Sequence, residues 1–500
     1  MPFLSQIVGH SAERIAIIDS DGEHSFGSLV SEAQLLAGTL RRVIPTAITD
    51  RSKRPRIAFL AGRHASSASV LLAIWLSDAI AVPLDPLMSL PEWQWRLEEL
   101  GVNVLLYAPL YRAEAQYIAQ CTHITLVSTE QGYIEETPLR LATPEQSALI
   151  LFSRYEESRP IPVVHSFQSL AAQMQTLIQA WQWRPEDRLL HVLPLSNFHG
   201  LINGLLASMA TGSCCEMLDN FKIHLIWDRL SSGKVSLFTA VPTIYQYLVD
   251  AWNKASADQQ KCWKSGLSHV RQTLVGPAPV TTSTCKQWFQ ISNIHLHFCF
   301  GTTETGMIFH NDAHGREMSG KPMPGVNLRL TDEQGREVTE GHGELEVRTP
   351  QLFKEYFDNE ALTQCSYNNG WFRTRGLALK QGDMYRMLGH RNLDVINTGG
   401  YRVSALEIEK VIEQHPEIRE CAVLGTPCER WGEAICIFIV PESNPVALPK
   451  LREWLCPKLA TYKFPTQLTV LQQMPRTSTG TIDKQSLKRE LTSRILPPPV

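Results

Sequence analysis

Residues 296–306, the most informative stretch of this chain, read Leu-His-Phe-Cys-Phe-Gly-Thr-Thr-Glu-Thr-Gly. Apolar residues at strand spacing run into Gly301, and Thr302, Thr303 and Glu304 follow at once. A glycine after a buried strand lets the backbone turn sharply, so that N–H groups and short side chains come close to a ligand. Glu304 suits a divalent cation, because hard cations take oxygen ligands beside phosphates. The same string also fits a plain strand end with a capped helix start.

Seven segments in order place this stretch in a wider pattern. They cover residues 193–201, 300–304, 343–350, 371–374, 390–400, 405–409 and 475–487. In this order and spacing the chain resembles the adenylate-forming superfamily, which includes acyl-CoA synthetases, peptide-synthetase adenylation domains and luciferases. The resemblance extends over nearly all of the 500 residues. It implies ligation of a carboxylic acid to a thiol through an acyl adenylate.

The predicted fold is α/β, in two domains. Apolar runs at 57–60, 104–107, 148–152 and 189–193 predict buried strands, and helical patterns at 28–40, 67–76, 169–181 and 244–252 separate them. This alternation indicates a large layered α/β domain over residues 1–391, with a β-rich subdomain at about 320–391. A small, mobile α+β C-terminal domain follows over residues 392–500. The resemblance implies that this domain rotates between half-reactions.

The second domain has its own predicted elements. They are a helix at 405–414, strands at 420–424 and 434–440, a helix at 448–458 and a strand at 467–471. About a hundred residues of this kind form a compact unit. We place the domain boundary at 391–393.

The resemblance assigns roles to individual residues. It implies that Thr303 and Glu304 are catalytic, with Glu304 also a metal ligand. The nucleotide contacts would be Gly276, Pro277, Ala278, Phe300, Gly301, Thr302 and Arg391. The acyl substrate would meet Asn197 and His199, although a histidine at a strand end is more often a hydrogen-bonded structural residue. The thiol would face Gly399, Gly400 and Tyr401.

The ligands follow from the same resemblance. They are ATP or AMP with magnesium, a small-molecule carboxylic acid, and the pantetheine thiol of CoA or of an acyl carrier protein. The residues leave the choice between CoA and a carrier protein open.

The phosphate loop of the family is altered in this chain. The family pattern S-G-T-T-G-x-P-K-G corresponds to residues 153–162, which contain no glycine and carry Ile161 at the lysine position. Such loops hold anions through consecutive backbone N–H groups, and glycine permits the required backbone angles. Tyr155, Glu156 and Glu157 would crowd and repel a triphosphate.

Two further ATP contacts are missing. The family aspartate that binds the ribose is replaced by Gly376, and the C-terminal lysine is replaced by Thr481. Lys484, three residues later, fits a solvated helix face better than a replacement catalyst. The first of the paired aspartates at the hinge is Leu393.

These losses leave two hypotheses. Removing one preorganised donor typically costs about 10²–10³ in rate, so three losses would amount to roughly 8–12 kcal/mol if they were additive. The first hypothesis is an acid–thiol ligase with weakened ATP-dependent adenylation. The second is a catalytically inactive pseudoenzyme that acts as a binding or partner protein.

The amino-acid composition narrows the classes of protein to which the chain could belong. Lys plus Arg is 47 and Asp plus Glu is 50, so the net charge is −3, which argues against nucleic-acid binding. The 11 cysteines include no C-x-x-C pair, which predicts a reduced, cytoplasmic protein. The most apolar early window, 68–84, contains Asp78 and Pro83 and is too short for a membrane span. It predicts a buried helix that runs into a strand.

Restoring one lost contact should do little, because a lysine at position 481 has nothing to bridge if the triphosphate is not held. We expect Thr481→Lys alone to raise adenylation less than tenfold. Combining it with Gly376→Asp and a glycine-rich loop at 153–161 should exceed the product of the separate effects, as coupled groups do. Substrate-dependent pyrophosphate exchange across the single, double and triple variants measures this. A large gain from Thr481→Lys alone would contradict the expectation.

Overall fold

The computed structural model describes residues 3–44, 54–122, 124–131, 142–153, 160–219, 221–276, 280, 282–311, 319–332, 334–390, 394–398, 401–428, 432–477 and 481–495. Its α-helices are α1 Phe3–Val8, α2 Phe26–Val43, α3 Ala65–Leu76, α4 Leu90–Glu99, α5 Arg112–Cys121, α6 Phe167–Trp181, α7 Ala207–Thr211, α8 Ile223–Leu230, α9 Pro242–Lys254, α10 Ala257–Leu267, α11 Thr282–Ser292, α12 Glu360–Cys365, α13 Ala405–Ile412, α14 Leu448–Leu455 and α15 Lys484–Ile495. A π-helix spans His199–Leu206, and short 3₁₀ turns span Pro109–Tyr111 and Thr461–Lys463.

The strands follow the same order along the chain. They are β1 Ile15–Asp19, β2 Gly22–Ser25, β3 Arg56–Leu60, β4 Ile80–Leu84, β5 Val104–Tyr107, β6 Thr125–Ser128, β7 Ser147–Ser153, β8 Ile161–Ser166, β9 Arg188–His191, β10 Cys214–Met217, β11 Leu237–Ala240, β12 Gln272–Val275, β13 Leu296–Thr302, β14 Gly306–His310, β15 Ser319–Pro322, β16 Asn327–Thr331, β17 Glu337–Val338, β18 Gly341–Arg348, β19 Glu355–Tyr356, β20 Tyr367–Asn368, β21 Trp371–Gln381, β22 Met384–His390, β23 Val395–Thr398, β24 Tyr401–Ser404, β25 Ile418–Cys428, β26 Gly432–Pro441 and β27 Gln467–Val470.

The largest sheet joins a parallel centre to an antiparallel flank. Its strand order is β17-β16-β18-β21-β22-β15-β14-β13-β12-β11-β9-β10-β1-β2, with β20 beside β21. Neighbours from β1 through β10, β9, β11 and β12 to β13 are parallel. From β13 onward the pairs are antiparallel, and the strands after residue 319 extend the sheet. Parallel strands end on one edge, which is where a ligand site is expected.

A second sheet lies across a buried helical layer from the first. Its order is β19-β8-β7-β4-β3-β5-β6, and β3, β4, β5 and β6 are parallel neighbours. Every residue of α3 from Ser67 to Leu76 is buried, and its side chains share one core with residues of both sheets. A helix that is apolar on all sides must be covered on all sides. The buried helix and following strand predicted over 68–84 are confirmed as α3 and β4.

The C-terminal residues form a sheet of their own. Strands β24-β23-β26-β25, with β27 beside β26, pack against α13 and α14 through an apolar cluster that includes Ile408 and Leu451. The predicted α/β fold, with a large N-terminal domain and a small C-terminal one, is therefore confirmed. The residues assigned to the boundary, 391–393, lie outside the described part of the chain, and the boundary stays a prediction.

Local sequence explains where helices begin. Ser25 caps α2, where its hydroxyl accepts a hydrogen bond from the Ser28 N–H at 3.1 Å, so the helix starts before the predicted residue 28. Ser166 and Ser169 cap α6 reciprocally. Such caps satisfy N–H groups that the first helical turn leaves unpaired. Across the described ranges, no helix combines the length and the apolar character that crossing a membrane requires.

The position of Lys484 contradicts the prediction that it lies on a solvated helix face. It is not a solvated helix-face lysine, because its Nζ lies 2.5 Å from Asp394 Oδ1 and 2.7 Å from Glu409 Oε1, with the side chain 14% exposed. Burial alone lowers the pKa of Lys484, but the two carboxylates raise it above its ordinary value. Glu409 also accepts a hydrogen bond from the Val423 N–H at 2.6 Å. Through these ion pairs, Lys484 at the start of α15 links the last helix to the first part of the C-terminal domain.

Removing this lysine should destabilise the C-terminal domain. Lys484→Met would leave two mostly buried carboxylates without their cation, which costs about 3 kcal/mol or more in the free energy of unfolding. Lys484→Arg should lose less, because it keeps the charge. Urea unfolding of the full chain measures both. The control is Lys450→Met, since Lys450 is exposed on α14. Equal midpoints for the variants at positions 484 and 450 would show that the ion pairs contribute nothing.

Candidate functional site

Loops at the carboxyl ends of parallel strands form the candidate site. Gly276 directly follows β12, and Gly301 lies near the end of β13, the parallel neighbour of β12. His199 Nε2 lies 2.8 Å from Thr239 Oγ1 on β11, and the His199 ring lies close to the Gly276 backbone. The fold therefore brings together the segments predicted to contact nucleotide and acyl group.

The turn between β13 and β14 is held by two buried glutamines. Gln351 Nε2 donates to the carbonyls of Thr305 at 2.9 Å and Met307 at 2.6 Å, and Gln173 Oε1 accepts from the Met307 N–H at 3.0 Å. Gly306 has φ +64°, and a Cβ there would collide with the Gln173 amide. The turn therefore requires glycine for both its backbone angle and its close packing.

Hydroxyls lock the same turn from within. The Thr302 N–H donates to Thr305 Oγ1 at 3.0 Å, and the Thr305 N–H donates to Thr302 Oγ1 at 3.3 Å. Phe300, just before the turn, stacks on Phe309 with ring centroids 5.2 Å apart. Hydrogen bonds and ring stacking within the chain thus hold this part of the predicted nucleotide site.

Glu304 is fully buried in this turn. Its backbone carbonyl accepts from the Phe353 N–H at 2.8 Å, and its Oε1 accepts from the Tyr356 hydroxyl at 3.4 Å. Its other oxygen, Oε2, is buried and has no hydrogen-bond partner. Burial, followed by the charge of Glu304, raises the pKa of Tyr356. Tyr356 is therefore a neutral donor at any physiological pH.

His165, His191 and His199 are buried in the large domain, and His165 contacts the turn. His165 hydrogen-bonds the Thr303 backbone and packs on Phe198 with centroids 5.5 Å apart. Burial lowers the pKa of His165 to about 3 and those of His191 and His199 to about 4. All three are neutral at pH 7, so they act as hydrogen-bonding groups and not as charges.

Asn197 and His199 offer unpaired nitrogens at the predicted acyl pocket. Asn197 Nδ2 and His199 Nδ1 are buried without hydrogen-bond partners. His199 begins the π-helix His199–Leu206, all of whose residues are buried. π-Helical turns often occur at functional sites, because they shift side chains relative to a regular helix. An acceptor on a bound acid would satisfy these nitrogens.

The residues at the three altered ATP-contact positions make other contacts in this structure. Ile161 packs against the apolar cluster that contains Tyr356 and Phe353. Gly376 is buried in β21, where its N–H donates to Thr374 Oγ1 at 3.1 Å. Thr481 Oγ1 lies 2.8 Å from the Thr477 hydroxyl, and its carbonyl accepts from the Thr477 N–H at 2.8 Å.

Several predicted site residues lie outside the described part of the chain. They are Pro277, Ala278, Arg391, Gly399, Gly400 and loop residues 154–159. Tyr401 begins β24, and its side chain is not described. Their roles stay predictions.

Sequence reasoning missed four residues that support the Glu304 turn. They are Gln173, Gln351, His165 and Tyr356. His165 lies on β8, where every residue after Ile161 is buried, so no alternation of polar and apolar residues marks it. The other three are far from the turn in sequence and contact it only in the folded chain, so no local pattern identifies them.

Comparisons with known proteins agree with this geometry. Residues 4–357 match the family model of the AMP-binding enzymes, and residues 407–481 match that of the AMP-binding enzyme C-terminal domain. The chain is 31% identical to the probable CoA ligase CCL8 of Humulus lupulus, over 96% of this chain and 89% of that protein. It is 29% identical to the mitochondrial malonate–CoA ligase ACSF3 of Mus musculus, again over 96% and 89%.

The solved structure of ATP-bound MatB from Rhodopseudomonas palustris shares the fold, with a TM-score of 0.86 at 23% identity over 99% of both chains. The chain belongs to the AMP-binding enzyme family, and the resemblance to adenylate-forming enzymes is confirmed. Its relatives are CoA ligases, which confirms the prediction that the chain, if it is active as an enzyme, is of the acid–thiol ligase type.

The buried histidines should make the large domain sensitive to acid. The unfolded chain takes up protons on histidine below a pH of about 6.5, whereas the folded chain keeps all three neutral down to about pH 4. The free energy of unfolding should therefore fall as pH drops from about 6.5 to 4, by about 1.4 kcal/mol per pH unit for each histidine.

Replacing His165 tests this account. His165→Gln removes one titrating group, so the slope between pH 5 and 6 should become shallower by about 1.4 kcal/mol per pH unit. Urea unfolding followed by tryptophan fluorescence measures the slope. His342→Gln is the control, because His342 is exposed. An unchanged slope in His165→Gln would mean that His165 is protonated in the folded chain.

Proposed function

We propose that this chain joins a small carboxylic acid to CoA, that it takes the acid best as an acyl adenylate, and that its own ATP-dependent adenylation is weak. The supporting observation is a contrast between two parts of the site. Hydrogen bonds hold the Glu304 turn tightly, whereas Ile161, Gly376 and Thr481 stand where ATP contacts are expected. Malonate is the first acid to test, because several relatives are malonate–CoA ligases.

Glu304 fits a magnesium ion. Its Oε2 is buried without a partner, and leaving such an oxygen unpaired is costly. Bound magnesium would supply positive charge against the phosphate of the nucleotide. In the described ranges, three possible metal ligands come together only at Asp19, Asp21 and His64, so Glu304 would share the ion with ligand oxygens and water.

The remaining residues would bind and orient the adenylate. Gly276, Phe300, Gly301 and Thr302 would line the nucleotide, and Asn197 with His199 would offer neutral donors to the acyl group. The thiol sulfur would attack the acyl carbonyl. The new C–S bond replaces the bond from that carbon to the phosphate oxygen, AMP leaves, and the thiol proton passes to solvent. Holding the two reactants together can by itself supply several kcal/mol.

CoA is the preferred thiol, because the relatives are CoA ligases. Gly399, Gly400 and Tyr401 are proposed to face it after the C-terminal domain rotates. Transfer to a carrier protein and a cytoplasmic location both stay predictions.

A binding protein without catalysis is the second candidate. The bonding of Thr481 favours it, because the residue at the lysine position is engaged with Thr477 in its own loop. A chain that kept only this scaffold would bind an acyl adenylate without turning it over.

Supplied acyl adenylate should therefore outperform ATP plus free acid. With freshly prepared malonyl adenylate and CoA, we expect thioester formation at least tenfold above the uncatalysed rate, measured by mass spectrometry. Malonate, ATP and CoA should give far less. Glu304→Gln should lose most of the activity, and Glu337→Gln, which changes an exposed carboxylate, should not. Binding of a panel of adenylates without any thioester would support the binding protein instead.

A further inference from the structure

The carboxylate of Glu304 has two unequal oxygens. Oε1 accepts a hydrogen bond from the Tyr356 hydroxyl at 3.4 Å. Oε2 accepts none, although both oxygens are buried. Complete burial of the side chain, together with this long contact on one oxygen, restricts rotation of the carboxylate about its last bond. Its second oxygen then keeps a fixed direction.

Tyr356 is itself held firmly. It belongs to β19, which pairs with β8 so that Tyr356 lies opposite Val163. Its N–H donates to Thr363 Oγ1 at 3.0 Å, and its ring packs on Phe353 with centroids 4.7 Å apart. The hydroxyl position is therefore fixed by backbone pairing and by an aromatic cluster.

Strand β8 also connects this tyrosine to the altered loop. Ile161 at the start of β8 pairs with Ser153 on β7, and residues 154–159 join the two strands.

We propose that Tyr356 is a positioning residue that fixes Glu304 so that its Oε2 is presented to a divalent cation. This inference rests on the proposed function, since it concerns the same site. It adds that the affinity for the cation depends on a hydroxyl that does not touch the cation. The long Tyr356–Glu304 contact then acts by orientation and not by charge.

Mn²⁺ is the probe, titrated into the full chain with and without AMP and followed by electron paramagnetic resonance, because Glu304 would share the ion with phosphate oxygens. Wild type should gain a bound Mn²⁺ when AMP is present, and Glu304→Gln should not. Tyr356→Phe should bind it about tenfold more weakly. Tyr367→Phe is the matched control, because Tyr367 belongs to the same aromatic cluster through Phe353 and Phe372. It should keep the wild-type affinity.

Thermal unfolding of each variant separates positioning from folding. A merely structural hydroxyl would lower the unfolding midpoint of Tyr356→Phe and leave its Mn²⁺ affinity intact, which would overturn the inference. Absence of Mn²⁺ binding in wild type would overturn it too. Thioester formation from malonyl adenylate reports separately on the proposed function. Thioester without Mn²⁺ binding would reject this inference alone, and the tyrosine effect without thioester would reject the function alone.

Discussion

The hydrogen bonds that hold the turn after β13 are the constraint on which the rest of the site depends. Gln351 and Gln173 bind the backbone on both sides of Gly306, and Glu304 is buried as a consequence. Each of these hydrogen bonds favours this backbone geometry, because breaking it would leave a further buried donor or acceptor unpaired, beside Gln173 Nε2 and Gln351 Oε1, which already have no partner. Groups of the chain itself therefore hold the turn in place.

Both large sheets contribute residues to that turn. The first sheet provides the turn itself at the end of β13, and helix α6, packed in the shared core, provides Gln173. The second sheet provides His165 on β8 and Tyr356 on β19. The site thus lies where the sheets meet, and it combines groups from both.

The altered positions fit this scaffold without strain on the turn. Ile161 completes an apolar cluster beneath Tyr356, and a side chain at Gly376 would meet the methyl group of Met387 at 2.6 Å. The groups that contact Glu304 are thus present, whereas Ile161 and Gly376 stand at positions where the resemblance predicts ATP contacts.

The sequence predicted those elements whose signal is local. The strand at 104–107 matches β5, and the apolar run at 68–84 became α3 and β4, because burial on all sides requires a continuous apolar stretch. Lys484 was misjudged because its partner Asp394 lies 90 residues away. Tyr356 was missed for the same reason, since it meets Glu304 only after β19 pairs with β8.

The most direct test of the central claim is malonate-dependent exchange of pyrophosphate into ATP by the unmodified protein. Exchange reports only on adenylation, so it isolates the step whose contacts have changed. The account predicts exchange at or near background, even at millimolar ATP and magnesium, in a preparation that forms thioester from malonyl adenylate. Exchange at the rate of thioester formation would contradict it, and would mean that this chain binds ATP through contacts other than those it has lost.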